Sequence, residues 1–449
     1  MSSDDDLTVD TIVVGGGMGG LTAGSYAARN GKSVLLVEKS EDVGGTSMVS
    51  GGVLWTAPTF GEWRERCPEA EEPLGRALVD GFPEVWAWLA ELNVDIEPPV
   101  LVHDFAPGRP FDIIGYFRRA VSIIESAGGF VMRSTVVRRL VLDGSRVTGA
   151  VLRDADGTEV TVRADAVVLA TGGLQGDPDA RARYIHPNAA TVAVRANQHS
   201  VGDGLRLAIA AGADVHGTSP GFYGHLICAP LDRFTDADFT PLYQHYSHLC
   251  ALLNLDGVRF TVEKAGDHFN AQALVPQRDS RGLLVFDDRV YRTAVITPNV
   301  ERFAPYDKFE LARSRGANTA SADTLDELAT KVAGWGFKPD RIAASVAEFN
   351  TGEGSLPTTG IPMRVSQVRP LTAPPFYAME VEPAVTFAHS GLRIDDRARV
   401  LGKGGEPIAG LYACGADVGG VYDRGYCGGL ALASVFGIVA ARDLTAAGR

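Results

Sequence analysis

The sequence predicts an α/β protein built on a Rossmann-like dinucleotide-binding domain, and three features indicate this fold. A run of mainly β-branched apolar residues, 11–14, is typical of a short buried strand. A second apolar run, 33–37, ends at the acidic Glu38, where a nucleotide ribose requires a hydrogen-bond acceptor. Between the two runs lies a G-x-G-x-x-G motif formed by Gly15, Gly17 and Gly20.

Each glycine of this motif has its own physical role. Gly15 allows a sharp turn after the strand, Gly17 lets a pyrophosphate approach the backbone, and Gly20 lets the following helix pack closely on the strand. The helix is expected to continue to about Asn30, and Gly31 suits the left-handed conformation that ends many helices. The N-terminus of this helix offers free N–H groups and a positive dipole end to a phosphate.

A segment rich in glycine and hydroxyl residues, 40–55, follows Glu38 directly and can place backbone N–H groups around a second phosphate. Its Gly-Gly-Thr-Ser-x-x-Ser-Gly-Gly order resembles the fumarate reductase and succinate dehydrogenase flavoprotein superfamily. This resemblance implies FAD as the cofactor. Some members attach FAD covalently through a histidine in this segment. Because 40–55 contains no histidine, we expect noncovalent FAD.

Further segments resemble the same superfamily. Segment 165–173 is typical of a buried strand ending in Ala-Thr-Gly-Gly, and 202–204 is a Gly-Asp-Gly turn whose Asp203 can cap a helix. Segments 389–395 and 408–420 resemble those that close the flavin pocket in the family. The fingerprint and the resemblance together predict a set of cofactor-binding residues: Gly15, Gly17, Gly20, Glu38, Lys39, Gly45, Thr46, Ser47, Gly51, Gly52, Val137, Thr171, Gly172, Asp203, Gly415, Asp417, Gly429 and Leu430.

The middle of the chain differs from the rest in composition: prolines, aromatic residues and histidines are frequent there. No second dinucleotide signature occurs in it. We therefore expect an inserted α+β capping domain at 217–362, between the two parts of a discontinuous FAD-binding domain at 1–216 and 363–449. Periodicity predicts helices and strands along the chain: helices at 70–97, 111–127, 322–352 and about 430–447, and strands at 131–142, 147–152 and 158–162.

Composition excludes several classes of protein. The chain has 449 residues and a net charge of −13, which argues against a nucleic-acid partner. No apolar run reaches the roughly 18 residues needed to span a bilayer, and the acidic first residues do not resemble a signal peptide. The five scattered cysteines indicate reduced thiols, as in the cytoplasm. His245 and His248 lie near Cys250 but lack a further ligand pair, so no metal site is expected.

A flavin dehydrogenase needs a base for one proton and a group that polarises a carbonyl. Dicarboxylate reductases of the superfamily use an arginine as proton donor in the segment equivalent to 263–270, which has no arginine here, and His268 is the nearest replacement. In 421–430, one alignment places Tyr426 on the carbonyl-polarising tyrosine of the ketosteroid dehydrogenases. Another alignment places Arg424 on the carboxylate-binding arginine of the fumarate reductases.

Three tyrosines of the expected cap, Tyr223, Tyr243 and Tyr246, are further candidates for the base. The main hypothesis is an FAD-dependent dehydrogenase that forms a C=C bond next to the ketone or carboxylate of a small molecule and passes electrons to an external acceptor. The reverse activity, an ene-reductase of unsaturated dicarboxylates, is the alternative. A flavin-binding subunit that serves only in assembly or electron relay is a third possibility, which a missing base and polariser would favour.

Overall fold

The computed structural model describes residues 7–103, 105–217, 219–297, 305–352 and 369–446. The helices are α1 Met18–Arg29, α2 Phe60–Arg66, α3 Glu72–Glu91, α4 Ile113–Ser126, α5 Pro178–Tyr184, α6 Asp203–Ala210, α7 Asp267–Leu274, α8 Asp288–Val290, α9 Lys308–Ser314, α10 Leu325–Ala333, α11 Ile342–Thr351 and α12 Gly429–Ala446. The strands are β1 Leu7–Val14, β2 Val34–Val37, β3 Val53–Leu54, β4 Val100–Val102, β5 Ala106–Pro110, β6 Phe130–Met132, β7 Val136–Asp143, β8 Arg146–Arg153, β9 Glu159–Leu169, β10 Ala193–Val194, β11 Val215–His216, β12 Phe222–Cys228, β13 Ala251–Asn254, β14 Gly282–Asp287, β15 Thr319–Ala322, β16 Phe376–Ala388, β17 Gly391–Leu392, β18 Arg399–Leu401 and β19 Pro407–Ala413.

The larger sheet confirms the predicted α/β, Rossmann-like fold. Its order is β18-β19-β9-β1-β2-β6, and the five strands from β19 to β6 run parallel. The register places Val14 opposite both Val37 and Leu169. The carboxyl ends of these strands therefore meet at one edge of the sheet, which is where doubly wound folds bind their ligands.

Helix α1 packs between the larger sheet and α12, and glycines set both distances. A Cβ atom on Gly20 would lie 1.9 Å from the carbonyl oxygen of Gly15, and one on Gly437 would lie 2.8 Å from that of Gly19. Gly15 itself has φ +105° and lies against the Ala170 backbone. These close approaches match the separate roles predicted for Gly15 and Gly20.

The second sheet has six strands and is centred on β16. Strands β12, β14 and β15 pair antiparallel with β16, β10 pairs with it in parallel, and β13 extends the sheet beyond β14. Most of these strands come from the expected cap, but β16 lies beyond it in sequence and β10 before it. The division of the chain into domains stays a prediction, and its boundary at 362 falls outside the described residues.

Three predictions differ from the observed elements. The separate strands predicted at 158–162 and within 165–173 form one continuous strand, β9. The strand predicted at 131–142 is divided into β6 and β7 because Ser134 has a left-handed φ of 50°. The N–H groups of Ser134 and Thr135 donate to the carbonyls of Ser40 and Glu38 instead of continuing a regular ladder. The helix predicted at 322–352 is likewise divided into α10 and α11, with Gly336 at φ +93° between them.

Among the described residues, α12 alone is long and apolar enough to cross a bilayer by length and composition. It packs against α1 and α3, and 56% of the apolar stretch is buried within the protein. A helix covered in this way has the burial expected of a core helix.

The close approach at Gly20 leads to a stability prediction. Gly20→Ala forces the backbone of α1 away from Gly15, and overpacking of this kind costs roughly 1–3 kcal/mol or more. We expect a lower thermal midpoint and weaker FAD binding. Gly61→Ala on α2 is the matched control, since its Cβ atom would meet nothing closer than 3.8 Å. Equal midpoints for the two variants, measured by circular dichroism, would contradict this account of the packing.

Candidate active site

A cleft lies at the carboxyl edge of the parallel strands, where residues of both sheets meet, and it encloses about 1720 Å³ with its open mouth included. A cleft at the carboxyl ends of parallel strands is where doubly wound folds bind nucleotides. Sixteen candidate residues from the sequence line it: Gly15, Gly17, Glu38, Lys39, Gly45, Thr46, Ser47, Gly51, Thr171, Gly172, Tyr223, Tyr243, Gly415, Tyr426, Gly429 and Leu430. The structure therefore brings together residues from near both ends of the given sequence, such as Gly15 and Leu430.

At one end of the cleft, the start of α1 and the Glu38 carboxylate form a nucleotide-binding surface. Glu38 accepts hydrogen bonds from the N–H groups of Gly16, at 2.7 Å, and Ser40, at 2.8 Å. These bonds fix the carboxylate and leave further lone pairs for a ribose diol. The N-cap of α1, Gly17, provides no side-chain cap, so the first N–H groups of the helix are available to a phosphate.

Five predicted cofactor residues do not line the cleft: Gly20, Gly52, Val137, Asp203 and Asp417. Gly20 acts in packing, as described above. The expected side-chain cap by Asp203 is wrong: Gly202 is the N-cap of α6, and the Asp203 carboxylate instead lies 2.5 Å from Lys39 Nζ. Neither Gly52 nor Val137 lines the cleft, so their predicted contacts with FAD stay predictions.

Asp417 is buried behind the cleft and also does not line it. It accepts hydrogen bonds from the N–H groups of Thr171, at 2.5 Å, and Gly173, at 3.0 Å. Burial raises the pKa of Asp417, and these bonds oppose the shift. The carboxylate therefore holds the turn at Thr171 and Gly172, which do line the cleft.

The other end of the cleft contains two stacked tyrosines. The rings of Tyr223 and Tyr426 lie 3.8 Å apart with an angle of 13° between their planes. The N–H group of Gly429, at the start of α12, donates to the Tyr426 hydroxyl at 2.7 Å. Burial raises the pKa of both hydroxyls, so both tyrosines remain protonated at neutral pH. The Tyr426 hydroxyl proton is thus directed away from Gly429 and towards the Tyr223 hydroxyl, to which it is hydrogen-bonded.

Behind Tyr223 lies a buried pair of ionisable residues, His225 and Asp267. The His225 Nδ1 atom is 2.5 Å from Asp267 Oδ2, and its Nε2 atom is 3.0 Å from the Tyr223 hydroxyl. Burial lowers the pKa of His225 to about 4 against the opposing charge of Asp267. Burial alone would raise the pKa of Asp267, but the adjacent His225 and His268 hold it well below its usual range. At neutral pH the pair is therefore a neutral imidazole and a carboxylate.

Sequence analysis missed a buried cation in the cleft, Arg195, which is 2% exposed. Its Nε donates to the Phe239 carbonyl at 2.9 Å and a terminal nitrogen donates to Thr386 Oγ1 at 3.1 Å. Burial lowers the pKa of Arg195, but an arginine stays protonated in proteins. No carboxylate of the described residues lies within ion-pairing distance of it. The signal in the sequence was a charged residue directly after the apolar run 192–194.

The predicted catalytic residues are not all in the cleft. Tyr426 lines it, and His268 is buried close behind, with its ring 6.1 Å from that of Tyr426 and its Nδ1 3.4 Å from Asp267 Oδ1. Two placements correct the prediction. Tyr246 is buried against Phe286 away from the cleft, and Arg424 is exposed beside Gln272. Of the two residues that the alignments left open, only Tyr426 therefore faces the cleft.

A comparison with protein families decides what the nucleotide end binds. The FAD_binding_2 family, described as "FAD binding domain", matches residues 10–429. The chain belongs to this FAD-binding family. Together with its fumarate reductase relatives, this match confirms the resemblance to the fumarate reductase and succinate dehydrogenase flavoprotein superfamily. FAD as the cofactor is confirmed as well, and the available N–H groups of α1 and the fixed Glu38 carboxylate fit its diphosphate and ribose.

The proteins to which the chain is similar are named as oxidoreductases and dehydrogenases. The chain is 25% identical to the NADH:acrylate oxidoreductase of Vibrio harveyi, over 96% of its own length but only 49% of that protein. It is 27% identical to the 4-oxocyclohexanecarboxylate 2-dehydrogenase of Sinomonas cyclohexanicum, over 94% of this chain and 89% of the relative. The fold matches that of 3-ketosteroid Δ1-dehydrogenase from Sterolibacterium denitrificans, with a TM-score of 0.76, 21% identity and coverage of 98% and 100%.

The position of Glu38 leads to a prediction about FAD affinity. Glu38→Ala removes the ribose acceptor and leaves the N–H group of Gly16 unpaired, so we expect FAD to bind about 10- to 150-fold more weakly. This range corresponds to a charge-assisted hydrogen bond of roughly 1.5–3 kcal/mol. The measurement is titration of apoprotein with FAD. Glu41→Ala, three residues further along on the exposed loop, is the control, and unchanged affinity in Glu38→Ala would mean that the acceptor is assigned to the wrong residue.

Proposed function

We propose that the chain is an FAD-dependent dehydrogenase that introduces a C=C bond α,β to the ketone or carboxylate of a small molecule. The observation that supports this proposal best is the arrangement of Tyr426, Tyr223 and Arg195 at one end of the FAD cleft. Bound FAD supplies the two-electron acceptor for a hydride from the β-carbon. The residues of the chain have to bind the substrate, polarise its oxygen and remove one proton.

Tyr426 is suited to polarise the substrate oxygen. Its hydroxyl accepts from Gly429 N–H and so directs its own proton away from that group. Because the N-terminus of α12 carries a positive dipole end, negative charge that develops on a nearby oxygen is stabilised. The tyrosine and the helix together provide what an enolate-like transition state needs.

Arg195 is suited to bind an anionic group of the substrate. A buried guanidinium without a carboxylate partner among the described residues carries a large desolvation cost, which an anionic ligand would offset. The adjacent walls of the cleft are aromatic, from Trp55, Tyr223, Tyr243 and Phe387. A small cyclic or linear compound with both a ketone and a carboxylate would meet these requirements. Its carboxylate would bind Arg195, its ketone oxygen would accept from Tyr426, and its carbon skeleton would contact the aromatic walls. The name of the Sinomonas relative, a dehydrogenase of 4-oxocyclohexanecarboxylate, describes such a compound.

The reverse reaction is the second candidate, since the acrylate and fumarate enzymes among the relatives reduce C=C bonds. Arg195 favours it equally, because an unsaturated acid also brings a carboxylate. A flavin subunit without its own chemistry is disfavoured, because such a subunit has no use for a buried cation and two tyrosine hydroxyls in its cleft. An external electron partner, noncovalent FAD and a cytoplasmic location are part of the proposal.

An anaerobic screen tests the direction and the substrate class. The oxidised enzyme is mixed with 4-oxocyclohexanecarboxylate, cyclohexanone and succinate, and the reduced enzyme with acrylate and fumarate, while flavin absorbance is followed. We expect 4-oxocyclohexanecarboxylate to bleach the flavin faster than cyclohexanone, because only the former engages Arg195. Reoxidation by the unsaturated acids alone would favour the reductase. Acid precipitation of the same protein should release the flavin, and flavin retained in the pellet would contradict noncovalent binding.

Tyr426→Phe tests the polarising hydroxyl. Loss of one such donor typically costs roughly 2.7–4 kcal/mol, or about 100- to 1000-fold in rate. We expect the rate of flavin reduction to fall by that factor, while FAD content and thermal midpoint stay close to those of the wild type because the ring is retained. A single-turnover rate within threefold of wild type would remove Tyr426 from the mechanism.

Arg195→Met tests the anion site, with Arg424→Gln as the matched arginine control outside the cleft. Loss of a charge-assisted bond of roughly 1.5–3 kcal/mol should raise the substrate dissociation constant about 10- to 150-fold in Arg195→Met. We expect the ketone without a carboxylate to bind both variants alike. A larger effect at Arg424 than at Arg195 would restore the alignment that the structure disfavours.

A further inference from the structure

Three polar side chains form a line from the cleft into the protein interior. Tyr223 lines the cleft, His225 lies behind it at 1% exposure, and Asp267 lies behind that at 0%. The line is joined by contacts of 3.0 Å, from the Tyr223 hydroxyl to His225 Nε2, and 2.5 Å, from His225 Nδ1 to Asp267 Oδ2. Side chains joined by hydrogen bonds in this way can pass a proton from one to the next, here between the cleft and the buried His225.

The positions of these residues follow from local structure. Tyr223 and His225 are two residues apart on β12, so their side chains lie on the same face of the sheet. Asp267 is the first residue of α7, which packs on β12, and the N-terminus of a helix stabilises a carboxylate. Gly266, at φ +115°, precedes α7 and brings Asp267 into position. No substrate is needed to assemble the line.

The hydrogen-bond directions are determined by charge. Because Asp267 is a carboxylate, it can only accept, so His225 carries its proton on Nδ1. The Nε2 atom of His225 must then accept the proton of the Tyr223 hydroxyl. On its cleft side the oxygen of that hydroxyl accepts hydrogen bonds from Arg195 and Tyr426, and a substrate has to displace one of them to deliver its proton.

Several other groups surround His225. The rings of Tyr243, at 4.3 Å, and His103, at 6.4 Å, lie against it, and the charges of Arg195 and His268 also act on it. Arg195 disfavours a charge on His225 but favours negative charge on Tyr223. A proton that moves from Tyr223 to His225 leaves negative charge on Tyr223, which Arg195 stabilises. It places positive charge on His225, which Asp267 stabilises.

The geometry points to Tyr223 as the group that removes the α-proton of the substrate, with His225 and Asp267 as positioning residues that take up the proton of its hydroxyl. This inference rests on the proposed function. The Cα–H bond breaks and its electron pair forms the new C=C bond, while bound FAD would supply the acceptor for the hydride that Cβ loses. The α-proton joins the Tyr223 oxygen while the original hydroxyl proton moves to His225 Nε2, whose positive charge Asp267 neutralises. In the reverse direction the same path delivers a proton to Cα.

The test compares single-turnover flavin reduction, with the fastest substrate from the screen, in wild type, His225→Gln, Asp267→Asn and Tyr223→Phe. General base catalysis is worth about 100- to 10,000-fold, so we expect His225→Gln and Tyr223→Phe to lose at least 100-fold in rate with substrate dissociation constants within threefold of wild type. The double variant that combines His225→Gln with Tyr223→Phe should be no slower than either single variant, since Tyr223 and His225 act as a unit. Asp267→Glu should recover part of the rate lost in Asp267→Asn.

His186→Gln is the control, because His186 lies outside the cleft and caps a surface turn. Should His225→Gln fail to bind FAD, Tyr223→Phe decides, since it removes only the hydroxyl. Rates within threefold of wild type in a folded, FAD-bound His225→Gln, or additive losses in the double variant, overturn the relay and leave the proposed function standing. A wild-type flavin that none of the ketones or acids reduces or reoxidises overturns the proposed function and the relay with it.

Discussion

The close packing of α1 between β1 and α12 is the constraint on which the rest of the site depends. Gly20 lies directly on the turn at Gly15, and Gly437 allows α12 to approach the backbone of α1. The first contact aims the free N–H groups of α1 at the nucleotide end of the cleft. The second fixes the start of α12, whose Gly429 holds the hydroxyl of Tyr426. These two glycine contacts set the distance between the two ends of the cleft. A larger residue in place of Gly20 or Gly437 would change that distance.

Much of the fold and the nucleotide end could be predicted because the determinants are local in sequence. The glycine spacing, the two apolar runs and Glu38 all fall within about 30 residues, and each has one simple steric or hydrogen-bonding role. Tyr426 was found in the same way, through a short motif. The break between β6 and β7 was missed because it depends on backbone bonds to Ser40 and Glu38, which no local pattern reports.

The substrate end was harder to predict, because its partners are distant in the chain. His225 and Asp267 are 42 residues apart and meet only when α7 packs on β12. Tyr246 and Arg424 have the right chemistry in sequence, yet their backbone positions direct them elsewhere. Arg195 shows the limit of arguments from net charge: the chain is strongly acidic, but the charge nearest to the tyrosine pair is positive. A cleft has its own local charge, set by a few buried groups.

The pairing of α1 with α12 also has a consequence for how the protein is made. About 400 residues separate the end of α1 from the start of α12. At roughly 5–20 residues per second, the ribosome needs about 20–80 seconds to synthesise that interval. During this time the side of α1 that packs on α12 has no partner, and neither Tyr426 nor the start of α12 has been synthesised. The nascent chain therefore exposes the apolar surface that α12 covers until α12 has been translated.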